Sequence, residues 1–525
     1  VALGYEALTD SSASVGNTAV GHQAMANMAD GDSNVAIGKL AMFGGSSSDA
    51  NNNVAVGSQA LRLTTTGSNN VALGFTAGKA STTGHSNVAI GFEALLNEDT
   101  GRKNVAIGYE ALKDQNSDAD NYNVAVGYQA GGNVTTGTQN SLIGAATGDA
   151  LTGGGDNTAL GAFALSGDTN GSKSVAIGRF ALYVQNFSSS TDVFNVAVGH
   201  GTGSAITTGF QNTLVGGLAG DALTDADYNI AIGQGALGAD TLGSRAVAVG
   251  VFALNEQNFS SATDNYNVGV GFYAGRKITT GVENVFIGGL AGDALTTGND
   301  NTALGHQSLS VDTKGSRNTA IGAFALANQN FTSQTASYNT AVGYGALISN
   351  TTGSENTSVG GLSGDALTVG ANNTVVGSQA LSSDTQGSQA VAIGRGALFA
   401  QNFTSATSNQ NTAVGYAAGN QITTGVQNTL IGGLAGDALT DADNNVAIGR
   451  SALTADTLGS RSVAIGFQAL STQNFTSATD VYNVAVGQNA GLSVTTGTSN
   501  TLIGGLVGDA LTTGNSNVAM GYSAL

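Results

Sequence analysis

One glycine recurs at nearly constant spacing along the whole chain, and this spacing is the strongest constraint on the fold. It ends each copy of a short motif such as Asn-Val-Ala-Ile-Gly, as at Gly108, and thirty such motif glycines occur between Gly4 and Gly521. Of the 29 intervals between them, 22 are 17-residue steps, two are 19-residue steps and five are 21-residue steps. Repeats this short cannot bury a hydrophobic face alone, so successive repeats must stack on one another.

The long intervals are themselves periodic. From Gly127 onward three 17-residue steps are followed by one 21-residue step, which makes a 72-residue super-repeat of four coils. The sequence therefore predicts a single continuous repeat array over residues 1–525. Because Val1 and Leu525 both fall inside a repeat, we expect a segment of a longer chain whose membrane anchor lies outside it.

The residues of each repeat favour extended structure. The motif is short, rich in β-branched residues and bounded by turn-forming Gly, Asn, Ser and Thr. A coil of this length leaves no room for a helix together with a strand and two turns. We predict an all-β fold, a parallel β-solenoid that forms a left-handed β-roll of about 30 coils. Each coil is expected to have one strand through the motif and a second through the following segment, such as residues 109–112.

The motif glycine and an asparagine four residues before it are predicted to have structural roles. The asparagine is present in 25 of 29 copies, and the exceptions Ser174, Ala246, Ala390 and Ser462 fall on the 72-residue lattice. We expect each glycine at a bend or a close backbone approach, and the asparagines in a ladder between coils. The representatives are Gly108, Gly127, Gly199, Gly271, Gly343, Gly415, Gly487, Asn104, Asn123, Asn195, Asn267, Asn339, Asn411 and Asn483.

Both faces of the predicted motif strand are apolar. In Asn-Val-Ala-Ile-Gly, Val and Ile point to one face and Ala to the other, because strand side chains alternate. The Ala face suits the inside of a thin coil. The other face then requires a partner, and we expect a second copy of the chain, in a homotrimer. The alternative is a thicker monomeric solenoid that buries both faces itself.

The motif, followed by Ala and iterated thirty times, resembles the YadA-like head repeats of trimeric autotransporter adhesins. Similar strings, such as Asn-Thr-Ala-Val-Gly-Tyr at residues 339–344, occur in predicted phage tail fibres. The resemblance covers essentially all 525 residues. It implies left-handed parallel β-rolls, three chains to a fibre, and an extracellular place on a cell-surface appendage or a virion. The coils here are longer than in that family, and this stretch shows no coiled-coil stalk or membrane anchor.

The composition makes several classes of binding partner unfavourable. The chain has 16 basic and 35 acidic residues, a net charge of −19. Nucleic acid and anionic membrane surfaces are poor partners, because their affinity depends on Lys and Arg that neutralise phosphates. There is no Cys, so neither disulfide nor thiolate chemistry is available. No apolar run approaches the roughly 18 residues of a membrane span.

The sequence does not predict an enzyme. Catalysis needs convergent ionisable groups, whereas His22, His85, His200 and His306 are scattered without a partner pattern. Glycine-rich stretches occur, but the sequence contains no Gly-Lys-Ser or Gly-Lys-Thr, which a phosphate-binding loop requires. We expect no catalytic residue and no cofactor.

Two further sequence features suggest a metal site and an ice-binding face, and both have simpler interpretations. Asp221, Asp225 and Asp227 form a carboxylate cluster that could hold Ca²⁺, and the set repeats at Asp437, Asp441 and Asp443. The equivalent coils at Asp293 and Asp509 lack the later carboxylates, so we expect solvated turns and no metal. Thr-Thr-Gly recurs once per super-repeat, as at Thr135. A threonine in one coil of four does not make the flat face that ice binding requires.

The 21-residue coils contain the candidate binding loops. Each has an insertion of the type Gln-Asn-Phe-Ser/Thr-Ser, and its phenylalanines are Phe187, Phe259, Phe331, Phe403 and Phe475. One hypothesis is that these loops bind a surface glycan or protein with avidity. The alternative, which we favour, is that each ring folds back against its own coil. The asparagine before each phenylalanine is also an N-glycosylation acceptor sequence.

Taken together, these features predict a non-enzymatic extracellular fibre, the head or shaft of an adhesin. A rigid rod would display regularly spaced loops for attachment to a host-surface glycan or protein. A phage tail fibre that binds a host-cell receptor is one alternative. A structural filament subunit without receptor binding is the other.

Overall fold

The computed structural model describes residues 1–10, 14–45 and 48–525. Within these ranges all regular elements are β-strands, and no helix forms. The chain is a parallel β-solenoid of about thirty coils, as predicted. It divides into two compact units, Val1–Tyr266 and Asn267–Leu525.

In the first unit each coil contributes one short strand, and successive strands pair in parallel. Register is maintained from coil to coil, so that Ala106 lies opposite Ala125. The main strands are Ala2–Leu3, Thr18–Val20, Val35–Ile37, Val54–Val56, Val71–Leu73, Val88–Ile90, Val105–Ile107, Val124–Val126, Ser141–Ile143, Thr158–Leu160, Val175–Ile177, Val196–Val198, Thr213–Val215, Ile230–Ile232 and Val247–Val249. Small two-residue strands pair Gly171–Ser172 with Thr191–Asp192 and Gly243–Ser244 with Thr263–Asp264.

The second unit has the same construction. Ala320 lies opposite Ala341 in parallel register. Its main strands are Val268–Val270, Val285–Ile287, Thr302–Leu304, Thr319–Ile321, Thr340–Val342, Thr357–Val359, Thr374–Val376, Val391–Ile393, Thr412–Val414, Thr429–Ile431, Val446–Ile448, Val463–Ile465, Val484–Val486, Thr501–Ile503 and Val518–Met520. The two-residue pairs are Gly315–Ser316 with Thr335–Ala336, Gly387–Ser388 with Thr407–Ser408, and Gly459–Ser460 with Thr479–Asp480.

The predicted second strand of each coil was wrong, because that segment is a tight turn. After Gly108, residues 109–112 form a turn in which Glu110 and Leu112 have φ angles of +54° and +47°. The two N–H groups point in opposite directions along the stack. Glu110 donates to the carbonyl of Phe92 at 2.8 Å and Leu112 to that of Ala130 at 3.0 Å. The turn thus bonds to both neighbouring coils, which compensates for left-handed backbone that costs about 1–2 kcal/mol per residue.

The motif glycines occupy backbone that other residues cannot adopt. The seven representative glycines named above have φ angles between +137° and +146°. A Cβ added at Gly108 would collide with the carbonyl oxygen of Gly127 in the next coil. Glycine is therefore required here both for the bend and for the close approach of two backbones.

The core is narrow and lies inside the coil. In each of the 29 three-residue strands the central residue is buried, while the two flanking residues are at least partly exposed. Ala106 in the strand, and Ala111 and Leu112 in the turn, are fully buried. The prediction that the Ala face packs inside the coil is confirmed. The Val and Ile side chains point outward.

Candidate functional site

The asparagine column links most coils to the coil that follows; Asn104 is an exception, because its buried side-chain amide makes no hydrogen bond to the described residues. Asn140 donates its backbone N–H to Oδ1 of Asn123 at 2.8 Å. Its own Nδ2 donates to the carbonyl of Gly154, 14 residues further on, at 3.0 Å. Asn157 continues the pattern by donating its N–H to Oδ1 of Asn140. Because these amides are buried and bonded on both sides, the column stabilises the stack rather than forming a surface for a ligand.

Ahead of four of the five 21-residue coils the asparagine is absent and a different network forms, whereas Asn318 keeps the ladder by accepting the N–H of Asn339 at 3.2 Å. At Ser174, an exception in the asparagine column, the hydroxyl accepts a hydrogen bond from Nε2 of Gln185 at 3.1 Å. Oε1 of Gln185 in turn accepts one from Nδ2 of Asn195 at 2.9 Å. The glutamine of the Gln-Asn-Phe loop therefore performs the linking role that an asparagine has elsewhere.

A buried aspartate organises this network, and sequence reasoning missed it. Oδ1 of Asp168 accepts the N–H of Gly171 at 2.9 Å and that of Phe187 at 3.2 Å. Its Oδ2 accepts Nε2 of Gln185 at 2.6 Å. The side chain is fully buried, and this burial raises the pKa of the carboxyl, although its hydrogen bonds oppose the shift. The pKa values of Asp384 and Asp456 are raised for the same reason.

The sequence did contain a signal for this aspartate. Asp-Thr-x-Gly-Ser occurs once in each super-repeat, always one coil before the glutamine of the loop. The five aspartates are Asp168, Asp240, Asp312, Asp384 and Asp456. The signal is a shared lattice position; the pairing with Gln185 becomes evident only when adjacent coils are stacked.

The five loop phenylalanines are packed against the coil and are not displayed. Their exposed fractions lie between 5 % for Phe259 and 8 % for Phe187. The buried N–H of Phe187 bonds to Asp168, which fixes the start of the loop. A ring buried to this degree cannot contact a large ligand directly, so the placement agrees with the folded-back alternative. The neighbouring Asn186 is exposed, and its Oδ1 accepts the hydroxyl of Thr169 at 2.9 Å.

The aspartates considered for calcium are engaged with the preceding coil. Asp225 accepts the Thr208 hydroxyl at 2.6 Å, and Asp227 accepts the N–H of Phe210 at 2.9 Å. Burial raises the pKa of Asp227 and of Asp221. In the part of the chain that the structure describes, no three His, Cys, Asp or Glu side chains come together as metal ligands would.

The histidines lie beside aromatic rings or hydroxyls at separate points of the array. His22 stacks on Tyr5 with ring centroids 5.3 Å apart. His200 and His306 make edge contacts with Phe180 and Phe324. Nδ1 of His85 lies 3.3 Å from the hydroxyl of the adjacent Ser86.

The threonine column is more extensive than Thr-Thr-Gly alone indicates. Besides Thr135, the same column contains Thr152 and Thr169, so three coils of four contribute a threonine. The Thr135 hydroxyl donates to the carbonyl of Thr152 at 3.2 Å, and that of Thr152 to Thr169 at 3.0 Å. The count of one coil in four was wrong, because it considered only the Thr-Thr-Gly copies. These hydroxyls bond to the next coil, so the column links coils to each other.

The outer face of the main strands has a uniform composition along the array. Its side chains are the first and third residues of each three-residue strand, mostly Val, Thr, Ile and Leu, and none of them is buried. Ile37 is 40 % exposed, Ile232 39 % and Ile287 36 %. We call this surface the aliphatic face. Its third-position column is aliphatic in every coil, which is unusual for a surface in contact with water.

Comparison with known proteins leaves the function to be inferred from the structure. The sequence matches no family model and no curated protein. Among the described residues, none belongs to a helix with the length and apolar character needed to cross a membrane. The resemblance to autotransporter head repeats therefore stays a prediction.

Proposed function

We propose that this chain is the non-enzymatic head or shaft of an extracellular fibre, in which copies of the chain associate through the aliphatic face. The fibre displays the loops of the 21-residue coils at regular intervals for attachment to a host-surface glycan or protein. A bacterial surface appendage and a virion are the two settings that the resemblance implies.

The observation that supports this proposal is the exposure of the aliphatic face. In an isolated solenoid the outward side chains of a strand should be polar, because water covers them. Here the third strand residue is Val, Ile, Leu or Met in every coil. A face so consistently apolar is typical of an interface.

The area of the face is sufficient for stable association. A side chain of this size that is 36–40 % exposed, as Ile37 and Ile287 are, leaves roughly 40 Å² of apolar surface in contact with water. Many first positions are Thr, so each coil supplies about one such aliphatic side chain, at the third position, and about thirty coils together present on the order of 1,000 Å². A standard interface buries about 800 Å² on each partner. The column therefore meets the requirement when it is summed over both units.

Three copies is the number that the resemblance implies, and the native mass tests it. Light scattering on a size-exclusion column should give the mass of three chains, each of 51.7 kDa. The double substitution Ile232→Lys and Ile287→Lys places charges on the aliphatic face and should reduce the mass to that of a monomer.

The matched control carries the same charges elsewhere. Ser261 and Ser333 are exposed in the loops of two long coils, so Ser261→Lys with Ser333→Lys should leave the native mass unchanged. A native mass of 51.7 kDa for the wild-type chain would contradict the proposed trimer and favour a monomeric solenoid. If the assembly forms but does not attach to cells, the structural-filament alternative is favoured instead.

A further inference from the structure

The loops of the five 21-residue coils share one acceptor sequence. In each loop an asparagine is followed by phenylalanine and then by serine or threonine, the order that N-linked glycosylation requires. The asparagines are Asn186, Asn258, Asn330, Asn402 and Asn474, and the hydroxyl residues are Ser188, Ser260, Thr332, Thr404 and Thr476. The feature therefore recurs at the same place in each super-repeat.

The sequence signal alone does not select these loops. Asn350 and Asn356 also begin an Asn-x-Ser/Thr sequence, but both are fully buried. Nδ2 of Asn356 donates to the carbonyl of Gly370 at 2.8 Å, so this amide belongs to the ladder between coils. Three further copies have no counterpart one super-repeat away, at Asn133, Asn170 and Asn372. The loop set is the regular one, and burial separates it from Asn350 and Asn356.

In the loops, the asparagine and the hydroxyl residue face the solvent, whereas the residue between them does not. Four of the asparagines are exposed and Asn330 is partly exposed. All five hydroxyl residues are exposed. The phenylalanines between them are only 5–8 % exposed. Each ring therefore holds the acceptor sequence against the coil while the two positions that define it are presented outward.

A threonine of the preceding coil holds each asparagine amide by its oxygen. Oδ1 of Asn186 accepts the Thr169 hydroxyl at 2.9 Å, and the four equivalent bonds measure 3.0–3.1 Å. Nδ2 of these five asparagines makes no hydrogen bond to any residue that the structure describes. The nitrogen that a glycosyl group would join is therefore open, in contrast to Nδ2 of Asn356.

Each loop is fixed at both ends and unbonded at its tip. In the first long coil the N–H of Phe187 bonds to Asp168, and Thr191–Asp192 pairs with Gly171–Ser172 of the preceding coil. Between these points, no backbone N–H of residues 188–190 bonds to the backbone of a described residue. The tip is therefore able to adjust to the active site of an enzyme while the coil stays stacked.

The fold gives no reason for a hydroxyl two residues after each loop asparagine. The five hydroxyl groups make no hydrogen bond to the residues described. The position is nevertheless Ser in two loops and Thr in three, the two residues that the acceptor sequence allows. Two positions further along, the tips have Ser190, Ala262, Gln334, Ala406 and Ala478. An exposed tip position is thus able to lose its hydroxyl, and the acceptor sequence supplies a reason for keeping one.

We propose that the five loop asparagines are acceptor sites for N-linked glycosylation. Nδ2 attacks C1 of an activated hexose, so that the Nδ2–C1 bond forms while the bond from C1 to the phosphate oxygen breaks. The nucleoside diphosphate leaves with the electron pair of that bond, and the amide gives one proton to a base. The co-substrate is a nucleoside-diphosphate hexose, and the base belongs to a glycosyltransferase of the producing cell. The chain contributes only the acceptor.

Within each unit the sugars would stand at regular intervals. Four coils separate successive acceptors, about 19 Å at about 4.8 Å per coil. A glycan is bulky and solubilising, so each long coil would present a hydrated sugar in place of a bare loop tip. This inference goes beyond the proposed function and does not depend on it, because acceptor chemistry is measured on the isolated chain without a cell surface.

The experiment measures which asparagines of the folded chain accept a sugar. The chain is incubated with a soluble asparagine glycosyltransferase and UDP-glucose, and the occupancy of each site is measured by peptide mass spectrometry. We expect one added hexose at each loop asparagine and none at Asn350 or Asn356. In a parallel sample, peptides from a protease digest replace the folded chain. Asn356 should then be modified as well, because burial no longer protects it.

Single substitutions test recognition at one loop. Thr404→Ala removes the required hydroxyl, so the hexose at Asn402 should be lost while the other four loops keep theirs. Thr404→Ser should restore it. The control Ser405→Ala changes the next exposed hydroxyl, which lies outside the acceptor sequence, and occupancy at Asn402 should be unchanged. Because neither hydroxyl bonds to a described residue, all three variants should keep the wild-type melting temperature.

Three results would overturn the inference. They are the absence of hexose from the loops of the folded chain, whether or not the peptides are modified; modification of Asn356 in the folded chain to the same extent as the loops; and modification of Asn402 that Thr404→Ala retains. None of these results bears on the native mass or on attachment to cells, so the proposed function is tested separately.

Discussion

The 17-residue and 21-residue coils bury the same narrow core but are linked to their neighbours by different chemistry. In a 17-residue coil an uncharged amide, such as Asn140, makes the links. Before a 21-residue coil a buried carboxylate, Asp168, accepts hydrogen bonds from two backbone N–H groups and from Gln185. A longer loop has more backbone donors to satisfy, and a carboxylate with two oxygens accepts more of them than one amide oxygen does. The comparison shows how a regular stack accommodates an insertion without losing register.

The largest expected effect concerns what both coil types share, the motif glycine. Gly360→Ala and Gly343→Ala, in a 17-residue and a 21-residue coil respectively, should each destabilise the chain by about 3 kcal/mol or more, because φ is +142° and +137° and the added Cβ meets the next coil. Chemical denaturation followed by circular dichroism measures this.

The adjacent glycine is the matched control for that substitution. Gly361 has open space and no positive φ, so Gly361→Ala should change stability by less than about 0.5 kcal/mol. Equal loss at Gly360 and Gly361 would contradict the assigned roles. A loss at Gly343 much smaller than at Gly360 would show that the long coil relaxes around the new side chain.

A loss of stability of intermediate size should distinguish the carboxylate link from the amide link. Asp384→Ala leaves the donors of Gly387, Phe403 and Gln401 without an acceptor, and each buried orphan costs about 1–3 kcal/mol. Asn356→Ala, in a 17-residue coil, also removes three hydrogen bonds, but it leaves only the N–H of Asn373 without an acceptor, because Nδ2 of Asn373 keeps its bond to the carbonyl of Gly387. It should therefore cost less, about 2 kcal/mol. Denaturation midpoints of the two variants and of the wild-type chain give the order.

If Asn356→Ala lowers the stability more than Asp384→Ala does, the carboxylate is not the stronger link between coils. The isosteric Asp384→Asn provides a control, since it keeps the volume and one acceptor oxygen. It should lie between Asp384→Ala and the wild-type chain.

The smallest effect is a pH dependence from the buried aspartates that precede the 21-residue coils. Burial raises the folded-state pKa of Asp168, Asp384 and Asp456 above that of an unfolded aspartate. A raised folded pKa means that the native state binds protons more readily, so this contribution to stability is fully present below the unfolded pKa of about 3.9. It is lost as pH rises through the folded pKa. The uncharged amide links of the 17-residue coils do not titrate.

Melting temperatures across the acidic range test this sign. Relative to the triple variant Asp168→Asn, Asp384→Asn, Asp456→Asn, the wild-type chain should gain stability as pH falls through the raised pKa values. A difference that is constant with pH, or that has the opposite slope, would contradict the shift. Because the variant retains all other carboxylates, their titration cancels in the comparison.

Much of the architecture follows from local pattern in the sequence. The spacing of the motif glycines set the coil length, and the alternation in Val-Ala-Ile placed Ala inside and the larger residues outside, because strand side chains alternate wherever the strand lies. Parallel register follows from near-identical repeats, since identical columns align when the coils stack. The requirement for glycine at Gly108 was also evident, although its physical cause, the carbonyl of Gly127, was not.

Only the tertiary structure decided which columns meet across coils. Residues 109–112 read as an apolar strand, but two left-handed residues, Glu110 and Leu112, make them a turn whose N–H groups reach both neighbouring coils. Asp168 and Gln185 are 17 residues apart and become partners only when stacking brings their coils together. Local propensity acts within a coil, whereas burial, hydrogen-bond partners and open surface are determined between coils.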